Sequence, residues 1–385
     1  MASRVELGEF VCERPSRATF TRETMALYRV GLIGCGRIGS EFEDLRGEHP
    51  CSIAGAFNAL PNCQLVAGCN RGEERLRKFG RRWGVTSLYR DHAEMLRNEQ
   101  LDLVAVATPP GAHRDQVVAA AEAGAKGIFC EKPMALSLAE CDDMLAACRQ
   151  NGAKLLVNCT RRWIGQYEAV KRAAGVGRWG ELLHLVGFCQ GCKPLPEWEA
   201  EFEGPLLHDA VHLFDLMRFY AGDVEWVLGT ASRRRRPEFR VEDTSLSILQ
   251  FASGIDGVVV VDELTEHFRF ELELHFERGL VSVGVGLEAK RSVRADTEET
   301  WWYRLTDDEV PAPSWEGTGI LNAAKDLVRA IESDTECRCT GEDGRAALEI
   351  IMALYESERR GHEKVRLPFA DTRRLVDVLR ADGVY

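Results

Sequence analysis

The sequence predicts a chain of two domains. The first is an α/β domain with a doubly wound parallel sheet, and the second is an α+β domain with a large, mostly antiparallel open sheet. The 385 residues are too many for one ordinary hydrophobic core. Between residues 28 and 159, apolar runs of strand length alternate with segments of helical period, which is typical of a parallel sheet. Between 224 and 305, strand-like runs follow one another with few helices, which is typical of an antiparallel sheet.

We divide the chain into four parts on this basis. Residues 1–27 show no clear period and are predicted to form an arm on the surface of the fold. Residues 28–159 form the parallel-sheet domain, and residues 160–370 form the second domain, in which we expect binding of substrate and contacts between subunits. A C-terminal helix is predicted in 371–385.

The first domain is predicted from five apolar strands and the helices between them. The strands are "YRVGLIG", "CQLVAGC", "LDLVAVAT", "GIFCE" and "KLLVNC". The helices include "EERLRKFGRRWG", "HAEMLRNE", "HRDQVVAAAEAG" and "SLAECDDMLAACRQNG". In the last of these, Ser137 and Glu140 have the spacing of a capping box.

The second domain begins with the helix "IGQYEAVKRAAG" and the strand "ELLHLVGFC". Its later strands are predicted in "VEWVLGTA", "TSLSILQF", "IDGVVVVDEL", "FRFELELHF", "LVSVGVG" and "TWWYRL". In "FELELHF", apolar and polar residues alternate with a period of two, which indicates a sheet with one half-exposed face. Two amphipathic helices follow, "GILNAAKDLVRAIES" and "GRAALEIIMALYESERRG".

Composition and charge exclude several classes of protein. The net charge of −12 argues against nucleic acid as a partner, since phosphate binding uses clustered positive charge. The basic run Arg233–Arg236 is interpreted as a solvated loop, with contact to an anionic ligand as the alternative. No apolar run is long enough to cross a membrane, and the first residues do not resemble a signal peptide.

The thirteen cysteines are scattered, and many lie inside apolar patterns. That distribution favours reduced thiols in a cytoplasmic protein over a disulfide framework. "CQGC" (189–192) is a single CxxC with no partner pair nearby, so we interpret it as packing, with a zinc or redox role as the weaker alternative.

A dinucleotide-binding motif follows the first strand. Gly34, Gly36 and Gly39 form GxGxxG in "GLIGCGRIGS". The first glycine allows a tight turn, the second lets the backbone approach a pyrophosphate, and the third lets helix and strand pack closely. The N-terminus of the next helix supplies free N–H groups for the phosphates. The motif in this context predicts a Rossmann domain that binds NAD or NADP.

Two departures from the usual pattern concern the cofactor. The second strand ends at Asn70, thirty-one positions after Gly39, where about twenty separate the motif from the ribose-binding acid in the usual pattern. The excess maps onto the acidic loop 41–51, either a lid or a passive surface loop. The strand ends in Asn70–Arg71 rather than in a carboxylate, and this pair can accommodate a 2′-phosphate. We therefore favour NADP modestly over NAD.

Polar residues follow the next two strands. Thr108 and Pro109 follow one strand, and Glu131 and Lys132 follow the other. In an open α/β sheet, ligands bind outside the carboxyl ends of the strands. A lysine that faces a cofactor cleft can exchange protons with a substrate, although Lys132 could equally be a surface residue at a strand end.

The stretch "GPLLHDAVHLFDLMRF" (204–219) reads as an apolar helix with a polar stripe. At about 100° per residue, His208, His212 and Asp215 fall within roughly 60° of one another. Burying such a stripe is costly unless its members are paired or face a cavity, and we favour the cavity. His208 and His212 also have metal-ligand spacing, but no third ligand is evident, so no metal is predicted.

The order and spacing of these motifs resemble the Gfo/Idh/MocA oxidoreductase family, which includes glucose-fructose oxidoreductase and inositol dehydrogenases. The resemblance runs from Tyr28 to Leu367 and rests on "GLIGCGRIG", "ATPPGAH", "EKPMALSLAE", "RRW" and "HDAVHLFDLMRF". It implies NAD(P)-dependent oxidation of a secondary alcohol, or reduction of the ketone, on a sugar, sugar derivative or cyclitol. It assigns the catalytic lysine to Lys132 and the catalytic histidine to His212.

The resemblance and the strand ends together define the predicted site. The cofactor-binding residues are Gly34, Gly36, Arg37, Ile38, Asn70, Arg71, Thr108, Pro109, His113 and Glu131. Substrate contacts are expected from Arg162, Trp163 and Asp209. His208 stands where many members of the family carry Asp, and it would bind substrate or relay a proton through His212.

Two other functions remain open from the sequence. The first is a regulatory or sensor protein of the same fold that binds NAD(P) without turnover. The second is a dehydrogenase for a substrate that is not a carbohydrate. The half-exposed sheet of the second domain usually needs covering, so we expect a homodimer or homotetramer.

Overall fold

The computed structural model describes residues 27–45, 50–191, 203–284, 287–295, 303–309 and 311–385. All of the predicted N-terminal arm except Leu27 lies outside these residues, as does Cys192 of the CxxC sequence.

The first domain is built on a six-stranded parallel sheet. Its strands are β1 (Tyr28–Ile33), β2 (Cys63–Cys69), β3 (Ser87–Tyr89), β4 (Leu103–Val106), β5 (Gly127–Cys130) and β6 (Lys154–Val157). They lie in the order β3-β2-β1-β4-β5-β6, so the sheet is doubly wound and the predicted α/β fold is confirmed. Strand β3 was not predicted, because three half-buried residues carry too short a pattern to detect.

Five helices cover the two faces of this sheet. They are α1 (Ile53–Asn58), α2 (Glu73–Trp83), α3 (His92–Asn98), α4 (His113–Glu122) and α5 (Leu138–Asn151). The Ser137 side chain accepts a hydrogen bond from the backbone N–H of Glu140 at the start of α5. The Glu140 carboxylate accepts one from the backbone N–H of Leu136 instead of that of Ser137. Only the first half of the predicted capping box is therefore present.

The helix after the glycine motif is interrupted by the acidic loop. The N–H groups of Ile53 and Ala54 donate to the carbonyls of Ile38 and Gly39, at 2.9 and 3.0 Å. Helical hydrogen bonding thus passes from the first turn directly to α1. The Glu43 carboxylate anchors the loop by accepting from the N–H of Cys51 and from that of Ser52. The insertion therefore leaves the phosphate-binding turn intact.

The second domain contains a nine-stranded sheet. Its strands are β7 (Leu182–Gln190), β8 (Val224–Gly229), β9 (Thr244–Phe251), β10 (Asp256–Asp262), β11 (Arg269–Phe276), β12 (Gly279–Gly284), β13 (Leu287–Ala295), β14 (Arg304–Asp307) and β15 (Val365–Arg366). The order is β14-β13-β12-β11-β7-β10-β9-β8-β15. β7 and β10 are parallel, and the other pairings are antiparallel. The predicted mostly antiparallel sheet is confirmed, whereas β13 was not predicted.

Five helices belong to the second half of the chain. They are α6 (Gly165–Gly175), α7 (Val211–Ala221), α8 (Gly319–Glu332), α9 (Gly341–Arg359) and α10 (Leu375–Ala381). A π-helical turn, Leu206–Ala210, leads directly into α7. α7 packs against β7 and β11 on one side and against α9 on another, which places the predicted histidine helix between the sheet and α9.

The opposite face of the nine-stranded sheet carries exposed apolar side chains. Leu246, Ile248 and Val258 are 55%, 44% and 45% exposed. They lie on the adjacent strands β9 and β10, where Val258 pairs with Ile248. An exposed apolar face of this kind usually marks a surface that meets another protein.

A buried ion-pair network joins the end of the first domain to the second. The Arg162 side chain, just after β6, donates from Nε and Nη2 to Asp215 of α7 at 2.9 and 2.8 Å. It also donates to both carboxylate oxygens of Asp343 in α9 at 3.1 Å and to the carbonyl of Arg338 at 2.8 Å. These five bonds match the five N–H donors of a guanidinium, so the network holds α7 and α9 to the carboxyl end of β6.

We predict that Asp215→Asn destabilises the protein by about 3 kcal/mol, because it leaves Arg162 with an incompletely compensated buried charge. Urea unfolding followed by circular dichroism measures the effect. Asp223→Asn is the matched control, since Asp223 pairs with Arg218 at the surface and its loss should cost less than about 1 kcal/mol. Equal effects of the two substitutions would contradict a central role for the network.

Candidate active site

The glycine loop after β1 is shaped to receive a dinucleotide. Gly34 has φ of +98°, and a Cβ there would lie 2.5 Å from the carbonyl oxygen of Ala107. A Cβ on Gly39 would lie 2.0 Å from the Gly34 carbonyl oxygen, whereas one on Gly36 would meet no atom within 4 Å. Gly34 and Gly39 are thus required for packing, and Gly36 leaves the backbone open to a pyrophosphate. Arg37 is exposed beside it, and Ile38 is half-buried.

The end of β2 combines an amide that shapes the loop with an exposed cation. The Asn70 side chain accepts from the backbone N–H of Cys35 at 3.2 Å and donates to the Gly72 carbonyl at 2.8 Å. Arg71 is exposed, and Arg90 at the end of β3 donates from Nε to the Arg71 carbonyl. Two arginines therefore meet at the edge where the adenosine ribose binds in this fold.

His113 supports the cofactor edge from within the domain. It is 0% exposed, and its Nε2 lies 2.7 Å from the Thr108 carbonyl oxygen while Nδ1 lies 3.1 Å from that of Pro133. Burial lowers the pKa of this imidazole, and the surrounding carbonyls oppose that shift. His113 is among the residues expected to contact the cofactor, and in this structure its ring is enclosed. It joins the loops after β4 and β5.

Thr108 and Pro109 lie at the carboxyl end of β4, as predicted. The Thr108 hydroxyl donates to the side-chain oxygen of Gln116 at 2.6 Å, while Pro109 is exposed. The hydrogen bond fixes the orientation of the Thr108 side chain at the rim of the sheet.

Glu131 is held by an asparagine, Asn158, that was not among the predicted site residues. The Asn158 amide, just after β6, donates to Glu131 Oε1 at 2.6 Å, and the backbone N–H of Lys132 approaches Oε2 at 3.3 Å. Burial raises the pKa of the Glu131 carboxyl, and these hydrogen bonds oppose the rise. The available signal was positional, since Asn158 follows a buried strand at the same sheet edge as Thr108.

Lys132 connects the cofactor edge to the second domain. Its Nζ donates to the His208 carbonyl oxygen at 2.5 Å. His208 belongs to the π-helical turn before α7, and its Nδ1 lies 3.4 Å from Oε2 of Glu203. Glu203 was not predicted, although a carboxylate directly before "GPLL" could have been noticed. The structure therefore brings together two of the predicted catalytic residues, Lys132 and His208, and adds a buried carboxylate.

The polar stripe proposed for residues 204–219 does not face one cavity. Asp215 is 0% exposed and bound by Arg162, so it is paired within the protein. The π-helical turn has more residues per turn than an α-helix, so a count of 100° per residue fails across His208. His212 lies on the first turn of α7 and is buried, and Asp209 in the π-helical turn is half-buried.

Two of the residues expected to contact substrate have partners within the protein. All five N–H donors of Arg162 are used within the network, and Trp163 is buried with its indole Nε1 donating to Asp326. Neither side chain is available to a substrate.

The neighbouring Arg161 guanidinium lies 4.4 Å above the Phe270 ring. Its buried Nε finds no hydrogen-bond acceptor among the residues that the structure describes, and its charge interacts with Glu131.

A second buried carboxylate supports the start of the histidine helix. Glu242 accepts from the backbone N–H of Leu206 and from the Tyr355 hydroxyl, both at 3.1 Å. Burial raises the pKa of the Glu242 carboxyl to about 7. The carboxylate satisfies an otherwise unpaired N–H at the start of the turn that carries His208.

Three buried side chains could in geometric terms hold a metal ion. In the described part of the chain, ligand atoms of Cys159, Asp215 and Cys339 lie within 4.8 Å of one another. The Asp215 carboxylate is already bound by Arg162, and that positive charge opposes a cation at the same place. The cysteines among the described residues are buried.

Comparisons with known proteins agree with this architecture. A family model described as "Oxidoreductase family, NAD-binding Rossmann fold" matches residues 28–159, and one described as "GFO/IDH/MocA C-terminal domain" matches residues 167–282. The chain is thus an oxidoreductase with an NAD-binding Rossmann domain.

Relatives of known activity identify the family. D-apiose dehydrogenase of Paraburkholderia graminis is 32% identical over 89% of this chain and 90% of its own length. Myo-inositol 2-dehydrogenase of Thermotoga maritima is 30% identical over 86% of this chain and 96% of its own. The protein belongs to the Gfo/Idh/MocA oxidoreductase family, as the sequence motifs indicated.

Solved structures share the fold over nearly the whole chain. The WlbA dehydrogenase from Bordetella pertussis, in complex with NADH and UDP-GlcNAcA, is 25% identical with a TM-score of 0.73, covering 89% of this chain and 100% of that one. Levoglucosan dehydrogenase in complex with NADH is 21% identical with a TM-score of 0.74, covering 89% and 100%. Within the described ranges, no helix has the length and apolar character to cross a bilayer.

Proposed function

We propose that the protein catalyses NAD(P)-dependent oxidation of a secondary alcohol on a sugar, sugar derivative or cyclitol, or reduction of the matching ketone. The observation that carries the proposal is the contact between Lys132, at the cofactor edge, and the His208 carbonyl, at the start of the histidine helix. It brings a cation to the turn that carries His208, directly before the helix that carries His212. The named activities of the relatives on apiose and inositol support a polyhydroxylated substrate.

We assign separate roles in this reaction to the lysine, the histidine and the arginine of the site. A bound nicotinamide supplies the hydride acceptor or donor. Lys132 binds and polarises the reacting oxygen, and His212 exchanges the hydroxyl proton. We assign the binding of substrate hydroxyls to Arg161 and not to Arg162, because the Arg161 guanidinium is not part of the ion-pair network. Asp209 remains a candidate for a further substrate contact.

We predict that Lys132→Ala or His212→Ala lowers kcat by at least about a hundredfold, since each removes a group that acts on the reacting oxygen or its proton. Cofactor affinity should stay near wild type. NAD(P)H absorbance across a panel of sugars, cyclitols and nucleotide-sugars measures turnover, and fluorescence titration measures cofactor binding. Arg161→Gln in the same assays should raise KM for substrate and leave cofactor affinity unchanged.

Near-normal turnover by either alanine variant would reject the assigned roles. If the wild-type protein turns over no compound of the panel but binds the cofactor tightly, the result favours the sensor protein without turnover. Turnover restricted to substrates that are not carbohydrates would favour the second alternative.

We further propose that NADP is preferred over NAD, with Arg71 and Arg90 binding the 2′-phosphate. Both arginines lie at the ends of adjacent strands, and the position of the ribose-binding carboxylate is taken by Asn70. The relatives crystallised with NADH do not test this preference in the present chain.

We predict that Arg71→Ala weakens NADPH binding by about tenfold and changes NADH binding by less than about twofold, because only NADPH carries the 2′-phosphate. Isothermal titration calorimetry gives both dissociation constants. Arg81→Ala, in the last turn of α2, is the control, because it removes one positive charge as Arg71→Ala does. Stronger binding of NADH than of NADPH to the wild-type protein would reject the preference.

We propose a homodimer or homotetramer assembled through the exposed sheet face of β9 and β10. The scattered, buried cysteines of the described ranges suit a reducing compartment, so we place the protein in the cytoplasm. Ile248→Asp should dissociate the assembly, since a charge would be buried in an apolar interface. Analytical ultracentrifugation measures the mass, with exposed Val176→Asp off this sheet as control. A monomeric wild-type protein would overturn the proposal.

A further inference from the structure

Glu203 is a buried carboxylate beside the proposed reaction centre. It is 4% exposed and precedes the π-helical turn that carries His208. Burial raises the pKa of this carboxyl, while the charges of Lys132, His113 and Arg37 act in the opposite direction. Those three residues come from the loop after β5, the start of α4 and the glycine loop. Glu203 of the second domain therefore lies within the electrostatic reach of the cofactor edge of the first.

His208 links Glu203 to Lys132 through two different groups. Its imidazole Nδ1 faces Glu203 Oε2 at 3.4 Å, and its main-chain carbonyl accepts from Lys132 Nζ at 2.5 Å. A carboxylate at Nδ1 selects the tautomer in which Nδ1 carries the proton and Nε2 carries the lone pair. The same negative charge stabilises the imidazolium that forms if Nε2 accepts a proton.

We propose that Glu203 is a positioning residue of the reaction, which acts through His208 by fixing its ring and increasing the basicity of its Nε2. This inference rests on the proposed function. In the oxidation direction, the substrate O–H bond breaks and its proton passes to His212. Nε2 of His208, four residues earlier in the chain, is the base to which we assign the next transfer. A bound nicotinamide would accept the hydride from the C–H bond as that bond breaks and the carbon–oxygen double bond forms. Reduction reverses each step, so Nε2 returns the proton.

The first test does not depend on turnover. Nitrogen-15 NMR titration of the nine histidines, with His208→Asn to assign the His208 signal, reports the protonation of this ring in the intact protein. Glu203→Gln should move the His208 midpoint to lower pH by about one unit, since it removes an adjacent negative charge. Glu203→Asp should return the midpoint towards the wild-type value, because it keeps the charge.

The second test measures kcat/KM for oxidation against pH. Glu203→Gln should lower the plateau by about tenfold or more and move the acid limb to lower pH. In a His208→Asn background the same substitution should have no further effect, because Glu203 acts through that ring. Glu349→Gln is the matched control. Glu349 is also buried, but its carboxylate accepts from the backbone N–H of Phe369 and not from a histidine. Melting temperatures of all variants report folding separately.

The inference would be overturned if Glu203→Gln left the titration midpoint of His208 unchanged. It would also be overturned if Glu203→Gln lowered kcat/KM equally in the wild-type and the His208→Asn backgrounds. Failure of the proposed function gives a different result. The wild-type protein would then turn over no compound of the panel, while the NMR titration would still show the effect of Glu203 on His208.

Discussion

The site depends on one buried ion-pair network, in which Arg162 is bound by Asp215 and Asp343. A guanidinium removed from water is tolerated only where acceptors satisfy all its donors and carboxylates balance its charge. The three residues come from the end of β6, from α7 and from α9, so their pairing fixes three elements at once. Because α7 carries His212 and follows the turn with His208, the network also sets the distance between the histidines and the cofactor edge.

With α7 fixed, the two domains meet where α8 packs on α1, β5 and β6 and α9 packs on α5 and β6, and polar contacts complete the site. Lys132 reaches the His208 carbonyl, and Glu242 supports the start of the same turn. On the first domain, Asn158 and His113 hold the loops that present Glu131 and Lys132. Catalytic side chains need orientation to within a fraction of an ångström, and this arrangement obtains it from buried polar residues behind the site.

Much of the fold and part of the site could be predicted from local patterns. The glycine motif, the strand ends with Thr108 and Glu131, and the interrupted first helix are all encoded in contiguous residues. The sequence could not show which arginine of the pair 161–162 enters the ion-pair network, because adjacent residues point in different directions that the sequence does not reveal. Glu203 and Asn158 were missed because each gains its meaning from a partner distant in the sequence.

The sequence by itself determined the two-domain architecture, the dinucleotide loop and the family, since each depends on periodicity or on motifs of a few adjacent residues. Only the tertiary structure decided that Asp215 pairs with Arg162, that the His113 ring is enclosed, and that Glu203 contacts His208. These outcomes depend on packing between elements far apart in the chain. A buried polar residue must find a partner, but only the folded arrangement decides which partner lies within reach.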